Sequence, residues 1–301
     1  MLGFFMAKDK LVSFQIEHLD PLGQGVSKQH EKVTFVGKTL PEEKGQAVIR
    51  KSLKGVQFAE FTFLENTSEN RISPDCEHYQ LCGGCQYLHT PYENELKFKQ
   101  LALKKHLAKL CPNVPITLHP AQQRFNYRNR IQLHYKDNLI GFKKPFSHEI
   151  LPIKNCMLAN SNVQKKLKEI IQQFQVIRPV ERTKSGHVEI YEFEDQVQVN
   201  WNLPYAHGGF TQVNQQMHQQ FQSFLHDYAK KHEILEKTVC DIFGGDGNLG
   251  SMFSPRKHFV VDSVIHQRPK SGQEFHQFDL LKIADQQKCL GLIKDLSLIH
   301  I

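Results

Sequence analysis

The N-terminal part of the chain consists of short segments in which apolar and polar residues alternate. In residues 12–17, Val-Ser-Phe-Gln-Ile-Glu, the alternation has the period of a half-buried strand. Three further strands are predicted at 33–36, 47–51 and 58–63, and Gly, Pro and charged residues separate them. Several short strands at this spacing predict a small closed β-barrel.

Helical patterns appear later in the chain. Thr90-Pro91-Tyr92-Glu93 predicts a helix start with a capping box. Residues 213–232 predict an amphipathic helix, because their apolar side chains recur at helical spacing. An apolar strand at 239–243, a glycine-rich loop and a second strand at 259–262 follow. This order is the opening of a doubly wound α/β domain.

Residues 124–136 alternate in a different way, with aromatic and aliphatic side chains at most odd positions. In a strand the even positions share the other face. A basic strip on a rigid strand is suited to contacts with phosphates, and so many cations on one face, with no acid among them, favour RNA contact over an ordinary exposed strand. The candidate RNA-binding residues on this face are Arg124, Arg128, Arg130 and Lys136.

Composition narrows the class of protein. The 301 residues carry 38 Lys and Arg against 31 Asp and Glu, a net charge of +7 that suits a polyanionic partner. No apolar run approaches the roughly 20 residues that a bilayer requires, which excludes a membrane-spanning protein. The 21 Phe and 8 Tyr exclude wholesale disorder. Because no targeting segment is visible, we expect a cytoplasmic protein.

The cysteines indicate a metal centre. Seven cysteines, an odd number in a reducing compartment, argue against a disulfide scaffold. Cys76, Cys82 and Cys85 form a cluster whose Cys-Gly-Gly-Cys turn brings two thiolates to one centre. A tetrahedral zinc site or a cubane iron–sulfur site needs a fourth thiolate, and Cys156 in a predicted loop is the best candidate. Spacing alone favours iron–sulfur over zinc without excluding zinc.

The loop Asp241-x-Phe243-x-Gly245-x-Gly247-Asn248 predicts a site for a nucleotide-like cofactor. Glycines allow the backbone to approach a ligand, and Asp262 is placed at a strand end to bind ribose hydroxyls. The loop lacks the phosphate-binding pattern of NTPases, which disfavours that class. A nicotinamide cofactor stays open on the loop alone.

Taken together and in this order, the motifs resemble the RNA uracil-5-methyltransferases, in particular the bacterial type that modifies 23S ribosomal RNA. The resemblance rests on the Cys-Gly-Gly-Cys cluster, Tyr127-Arg128-Asn129-Arg130, the segment 210–214 (Phe-Thr-Gln-Val-Asn) and the glycine loop. It implies a multidomain α+β chain: an OB-like TRAM barrel at 5–66, a central iron–sulfur domain at 67–205 and a Rossmann-like methyltransferase domain at 206–301, the last incomplete.

The resemblance also implies cofactors and residue roles. Cys76, Cys82, Cys85 and Cys156 match the ligands of a 4Fe–4S cluster. S-adenosylmethionine is expected to contact Gln212, Phe243 and Asn248, with Asp262 on its ribose and Asp279 near its adenine. The expected partner is 23S ribosomal RNA, bound by a monomer. In the family a cysteine thiolate adds to C6 of an extruded uracil, C5 takes the methyl group, and a base removes the C5 proton.

The chain departs from the family pattern in its last part. The family's Ser-Cys-Asn-Pro nucleophile and its base are expected beyond Ile301, after a fourth strand that residues 295–301 would begin. Cys289 precedes that strand and is rejected as the nucleophile, so the 301-residue chain is expected to be inactive. Pro255 leaves only a short helix after the glycine loop. The alternatives are a non-catalytic RNA-binding iron–sulfur protein and a zinc-bound RNA-binding module.

Overall fold

The computed structural model describes residues 10–177, 184–193, 195–207, 212–245, 247–264 and 272–294. The chain divides into two compact units. The first comprises residues 1–124, 132–157 and 164–188, and the second comprises 125–131, 158–163 and 189–301. The α+β class is confirmed, because helices and three separate sheets occur along the same chain.

A six-stranded sheet occupies the start of the first unit. Its strands are β1 (Leu11–Gln15), β2 (His18–Leu19), β3 (Gly25–Ser27), β4 (Val33–Gly37), β5 (Lys44–Ser52) and β6 (Val56–Asn66). Their order in the sheet is β1-β5-β6-β4-β3-β2. β4 and β6 run parallel, and the other four neighbouring pairs of this sheet are antiparallel. The sheet curls on itself, since the Gln15 amide on β1 donates to Ser27 Oγ on β3 at 3.3 Å.

The alternation seen in the sequence explains the core inside this sheet. Phe14, Ile16, Val36 and Ala59 are buried there, while the residues between them on each strand point outward. Glu43 is also fully buried, and both of its carboxylate oxygens are paired with the Arg71 guanidinium. A buried carboxylate requires such compensation, so this pair ties the end of the sheet to the segment that follows it.

Two helices and a five-stranded sheet follow along the chain. α1 (Tyr92–Leu107) has no side-chain cap, and Thr90 is buried with an unpaired hydroxyl, so the predicted capping box is wrong. A five-stranded sheet has the order β11-β10-β7-β8-β9. Its strands and the adjoining helix are β7 (Arg130–Lys136), β8 (Leu139–Lys143), β9 (Ile150–Pro152), α2 (Ser161–Ile177), β10 (Ser185–Phe193) and β11 (Gln196–Trp201).

The second unit ends in a parallel sheet with the order β12-β13-β14. α3 (Gln215–Lys231) precedes it, and the Asn214 side chain caps this helix by accepting from the Met217 amide. The remaining elements are β12 (Thr238–Ile242), a 3₁₀ helix (Gly250–Phe253), β13 (Lys257–Asp262), β14 (Gln273–Gln277) and α4 (Ile283–Ile293). The predicted helix and both predicted strands are therefore confirmed. In the described ranges no helix is long and apolar enough to cross a membrane.

We predict that His89 stays neutral well below neutral pH. Burial lowers the pKa of this imidazole to about 4, and its Nδ1 is hydrogen bonded to the Tyr79 hydroxyl at 2.6 Å. The unfolded chain takes up this proton near pH 6.5 but the native chain does not, so His89 makes stability fall as the pH drops from about 6.5 to about 4. A ring-proton NMR titration, with His89→Gln used for assignment, should show a signal that does not shift between pH 7 and 5. A midpoint near 6.5 would contradict the prediction.

Candidate functional site

Three parallel strands bring the predicted cofactor residues to one edge of a sheet. β12 pairs with β13, with Thr238 opposite Lys257 at one end and Ile242 opposite Val261 at the other. β13 pairs with β14 as far as Asp262, which lies opposite Gln277. Phe243 and Asp262 therefore stand at neighbouring strand ends, and Asp279 follows two residues after the third. The carboxyl edge of such a sheet is where open α/β folds bind ligands.

Two carboxylates on neighbouring strands hold the glycine loop. The Gly245 amide donates to Asp262 Oδ2 at 3.0 Å, and the Gly250 amide donates to Asp241 Oδ2 at 2.9 Å. The Gly244 amide donates to the Val261 carbonyl at 3.2 Å. The loop is thus fixed on both sides of Asp246, which lies outside the described residues. Asp241 was predicted as the first residue of the cofactor loop, but the sequence does not reveal that its carboxylate holds the Gly250 amide.

The backbone of this loop requires glycine at one position for two reasons. Gly247 has a φ of +68°, and a methyl group there would lie 2.7 Å from Val260 Cγ2. Gly245 has a φ of +54°, yet a methyl group there would meet none of the described residues within 4 Å. Phe243, two residues earlier, is left-handed as well, and its side chain is 67% exposed. Among the described residues the loop therefore forms a cradle that is open at Gly245, with an exposed aromatic residue at its start.

The segments around the cradle agree in part with the sequence predictions. The helix after the loop is only the 3₁₀ turn Gly250–Phe253, which confirms the short helix expected before Pro255. Asn248 is half-buried in the loop. The Asp279 carboxylate accepts the Leu281 amide at 3.1 Å and pairs with Lys282 at 3.2 Å, so it also organises the start of α4.

Gln212 is linked to a second motif rather than to the glycine loop in the contacts that the structure gives. The Asn129 side chain donates to the Gln212 carbonyl at 3.1 Å, and the Asn129 amide donates to the Val213 carbonyl at 3.0 Å. The Asn129 carbonyl accepts the Glu192 amide at 2.8 Å. Asn129 therefore joins two segments that lie far apart in sequence. The first two residues of the predicted motif, Phe210 and Thr211, lie outside the described residues.

The predicted basic face over residues 124–136 is wrong. The strand begins only at Arg130, whose guanidinium is 1% exposed and pairs with Glu189 at 3.0 Å. Arg130 Cζ also lies 4.5 Å from the centre of the Tyr191 ring, so the same guanidinium makes a cation–π contact. The apolar half of the pattern is confirmed, since Ile131, Leu133 and Tyr135 are buried. The alternation could not reveal the buried acid, which stands 59 residues away.

Arg124 also has a structural partner. It precedes the strand, pairs with Glu95 at 3.0 Å and donates to the carbonyls of Tyr87 and Thr90. Arg128 is half-buried, and its amide donates to the Leu158 carbonyl at 2.7 Å. Lys136 is exposed at the end of β7. The four residues therefore do not share one solvent-facing strip, although RNA contact by each of them stays a prediction.

The four predicted thiol ligands all lie in the first unit. Cys76, Cys82, Cys85 and Cys156 are free and half-buried. The Lys154 amide donates to His78 Nε2 at 3.2 Å, which links the loop of Cys156 to the segment that holds Cys76 and Cys82. Burial raises the pKa of the Cys82 thiol, and Cys156 and Cys76 raise it further. Cys76, Cys82 and Cys156 thus act electrostatically on one another.

A buried lysine holds the cysteine segment, and no sequence pattern predicts this role. The Lys38 ammonium, in a residue only 8% exposed, donates to the carbonyls of Tyr79, Gln80 and Cys82 at 2.5, 2.9 and 2.9 Å. Burial lowers the pKa of Lys38, while the thiols of Cys82, Cys85 and Cys76 oppose that shift. The ammonium therefore fixes the backbone before the Cys-Gly-Gly-Cys turn and supplies positive charge beside three thiols.

The other cysteines do not join this group. Cys111 is exposed beyond α1, and Cys240 and Cys289 lie in the second unit. Burial raises the pKa of Cys240 to about 11 and also raises that of Cys289, which agrees with the rejection of Cys289 as a nucleophile. Among the described residues, no three His, Cys, Asp or Glu side chains converge tightly enough to bind a single ion.

The parallel strands with a glycine loop at their carboxyl edge define the class of an open α/β fold. A solved structure described as Pyrococcus abyssi tRNA (uracil-54, C5)-methyltransferase in complex with S-adenosyl-L-homocysteine has the same fold, with a TM-score of 0.58 and 19% identity. The match covers 94% of this chain and 77% of that one. No family model matches the chain.

Curated proteins with similar sequences are named as RNA methyltransferases. The chain is 31% identical over 212 residues to 23S rRNA (uracil(1939)-C(5))-methyltransferase RlmD of Shewanella woodyi, covering 65% of this chain and 47% of that protein. It is 30% identical over 194 residues to RlmD of Haemophilus parainfluenzae, covering 61% and 43%. An RNA methyltransferase of Listeria monocytogenes, described as uncharacterized, is 32% identical over 198 residues. The chain spans about half the length of these relatives, and the resemblance found in the sequence is confirmed.

A graded alanine series tests the geometry of the cradle. We expect Gly247→Ala to destabilise the chain by about 2 kcal/mol or more, because it adds a steric clash to a left-handed backbone. Gly245→Ala keeps only the backbone strain and should cost about 1 kcal/mol. Gly291→Ala, inside α4 and in open space, should stabilise by about 0.5–1 kcal/mol. Urea unfolding measures all three, and an equal effect at Gly247 and Gly291 would refute the geometry.

Proposed function

We propose that this chain carries the cofactor-binding and RNA-binding parts of an S-adenosylmethionine-dependent methyltransferase that forms 5-methyluridine in 23S ribosomal RNA. The observation that carries the proposal is the glycine cradle, open above Gly245 and fixed by Asp262 at the carboxyl edge of three parallel strands. The names of the curated relatives support the substrate class.

The residues at the cradle fit an adenosine-bearing cofactor. The missing side chain at Gly245 leaves room for a ligand against the backbone, and the exposed Phe243 side chain offers an apolar face. Asp262 stands half-buried at the next strand end, where a carboxylate can accept hydrogen bonds from ribose hydroxyls. We propose that Asn248 and Gln212 contact the remainder of the cofactor and that Asp279 lies near the adenine. When bound, S-adenosylmethionine supplies the methyl group.

In this scheme the described residues bind and orient the cofactor. Asp262 uses one oxygen to hold the Gly245 amide at 3.0 Å, so the carboxylate is already in place before the ligand arrives. Asp241 fixes the far side of the loop through the Gly250 amide. Such preorganisation lowers the cost of binding, because neither loop nor carboxylate has to be ordered afterwards. The family's Ser-Cys-Asn-Pro nucleophile is not among the 301 residues, so the covalent step is assigned to none of them.

We propose that the four thiols hold a 4Fe–4S cluster. The donor set fits, because four half-buried cysteines lie in the first unit, Cys76 and Cys156 act electrostatically on Cys82, and Cys82 Sγ accepts the Gly84 amide at 3.4 Å. Hydrogen bonds of this kind tune iron–sulfur clusters. A zinc ion would take the same four thiolates, so metal analysis has to distinguish the two.

The remaining assignments follow from the same proposal. The curled six-stranded sheet corresponds to the TRAM barrel at 5–66, the cysteine segment belongs to the central domain at 67–205, and the parallel sheet belongs to the methyltransferase domain at 206–301. Lys136 is the most exposed of the four predicted RNA-contacting residues. We further propose a monomer that acts in the cytoplasm, where reduced thiols are available for the cluster.

The cofactor proposal is tested by titration calorimetry on the purified chain. We expect S-adenosylmethionine and S-adenosylhomocysteine to compete for one site, with no methyl transfer to unmodified 23S ribosomal RNA by this chain alone. Asp262→Ala should weaken binding by about ten- to a hundredfold, because it removes charged hydrogen-bond acceptors. Glu274→Gln, a carboxylate on exposed β14, serves as the control. Binding of NAD in place of S-adenosylmethionine would overturn the proposal.

Metal analysis tests the cluster. After anaerobic purification we expect brown protein with about four irons and four sulfides per chain. Cys156→Ser should lose most of the iron and the visible absorbance, because one ligand is missing. Cys111→Ser removes a cysteine outside the cysteine group and should retain both. Colourless protein with one zinc per chain would show that the site is a zinc site.

A further inference from the structure

Three phenylalanine rings of the first unit stack on one another at the outer face of the six-stranded sheet. Phe35 on β4 is the register partner of Phe58 on β6, and their rings are 5.3 Å apart with an interplanar angle of 19°. Phe146, between β8 and β9, continues the row with its ring 6.1 Å from that of Phe58. The rings face outward, because the next residues on the two strands, Val36 and Ala59, are buried in the core. We call these three residues the Phe platform.

The end of the Phe platform is open to solvent. The Phe146 side chain is 54% exposed, although it packs on another ring. Its φ of +51° is left-handed, a conformation that is rare for a bulky side chain and is kept only where the surroundings hold it. A methyl group at Gly83 would lie 3.7 Å from the Lys143 carbonyl and from Pro145, so the hairpin tip rests against the Cys-Gly-Gly-Cys turn.

The charges around the Phe platform are mainly positive. Lys51 is exposed directly opposite Phe58 on β5, and Lys143 is exposed three residues before Phe146. Arg50, next to Lys51, pairs with Glu60, while Lys144 in the hairpin pairs with Glu149. Because Arg50 and Lys144 are paired with carboxylates, the remaining net charge near the rings comes from Lys51 and Lys143 and is positive on both sides. A ligand that matches this surface has flat faces for stacking and an anionic backbone, which is the chemistry of unpaired nucleotides.

We propose that the Phe platform is a stacking site for an unpaired base of the RNA substrate, with Lys51 and Lys143 contacting the adjoining phosphates. The proposal rests on the RNA-binding function proposed above and adds a particular contact to it. Aromatic rings accept any base, because every base has a π face, so the site would secure the strand without reading its sequence. A protein partner is less well matched, since it would have to neutralise the flanking lysines.

The test compares two phenylalanines of similar exposure. Phe146→Ala should weaken binding of a single-stranded fragment of 23S ribosomal RNA by about five- to a hundredfold, measured by fluorescence anisotropy. Phe63→Ala is the control, because Phe63 is 61% exposed on β6 but is not part of the Phe platform. Phe146→Trp keeps a ring and should restore binding. Circular dichroism and thermal unfolding check that the variants are folded.

Two further readouts separate stacking from charge and from packing. Phe146→Ala should leave the slope of log Kd against log salt unchanged, whereas Lys143→Gln should lower that slope by about one. An RNA carrying 5-iodouridine should cross-link under ultraviolet light to Phe146 or Phe58 in the wild-type chain. Equal affinities for Phe146→Ala and Phe63→Ala, with cross-links elsewhere, would overturn the proposal.

The failure of the platform can be told apart from a failure of the proposed function. If the wild-type chain binds RNA while Phe146→Ala has no effect, the platform is wrong and the proposed function stands. If the wild-type chain binds no RNA, the RNA-binding function itself fails, and the platform with it. A change in sedimentation of Phe146→Ala without a change in RNA affinity would assign the rings to contact between two copies of the chain, and would also overturn the proposal.

Discussion

One buried cation, the ammonium of Lys38, sets the path of the cysteine segment. Lysine is rarely buried unless its charge is compensated, and here the compensation comes from three carbonyls that converge on Nζ. Because those carbonyls belong to residues 79, 80 and 82, their convergence defines the backbone immediately before the Cys-Gly-Gly-Cys turn. The turn in turn supports the hairpin tip, since Gly83 lies against Pro145. The cysteine segment, the hairpin and Phe146 therefore depend on one charge.

The second unit uses the opposite charge for the same purpose. Asp241 and Asp262 accept amides from the glycine loop, which has no regular secondary structure of its own. In both units a buried or half-buried charge gathers backbone dipoles and so selects one conformation of an irregular segment. This arrangement is economical for a binding site, because the residues that fix the loop also stand at its edge. Asp262 is the clearest case, since its Oδ2 accepts the Gly245 amide and its Oδ1 accepts the Val264 amide just beyond the strand.

The sequence predicted regular elements and local motifs well, and long-range polar contacts poorly. The strand before the glycine loop, the loop and Asp262 at the next strand end were all found where periodicity and glycine spacing put them. Arg130 was assigned to the wrong face, because its partner Glu189 lies on another strand and leaves no local trace. Lys38 carries no signal either, since a lysine after a strand is usually solvated. Tertiary charge pairs of this kind decide burial, and alternation alone cannot report them.

The arrangement of charges also indicates what an iron–sulfur cluster would do in this chain. Four thiolates and their cluster carry net negative charge, and the compensation available in the first unit is the Lys38 ammonium together with amides such as that of Gly84. If the proposed cluster is bound, it would reinforce the same contacts that Lys38 already makes and would hold the turn on which the hairpin tip rests. Its effect would reach RNA through the position of Phe146 and Lys143. That is a positioning role, for which no change of oxidation state is required.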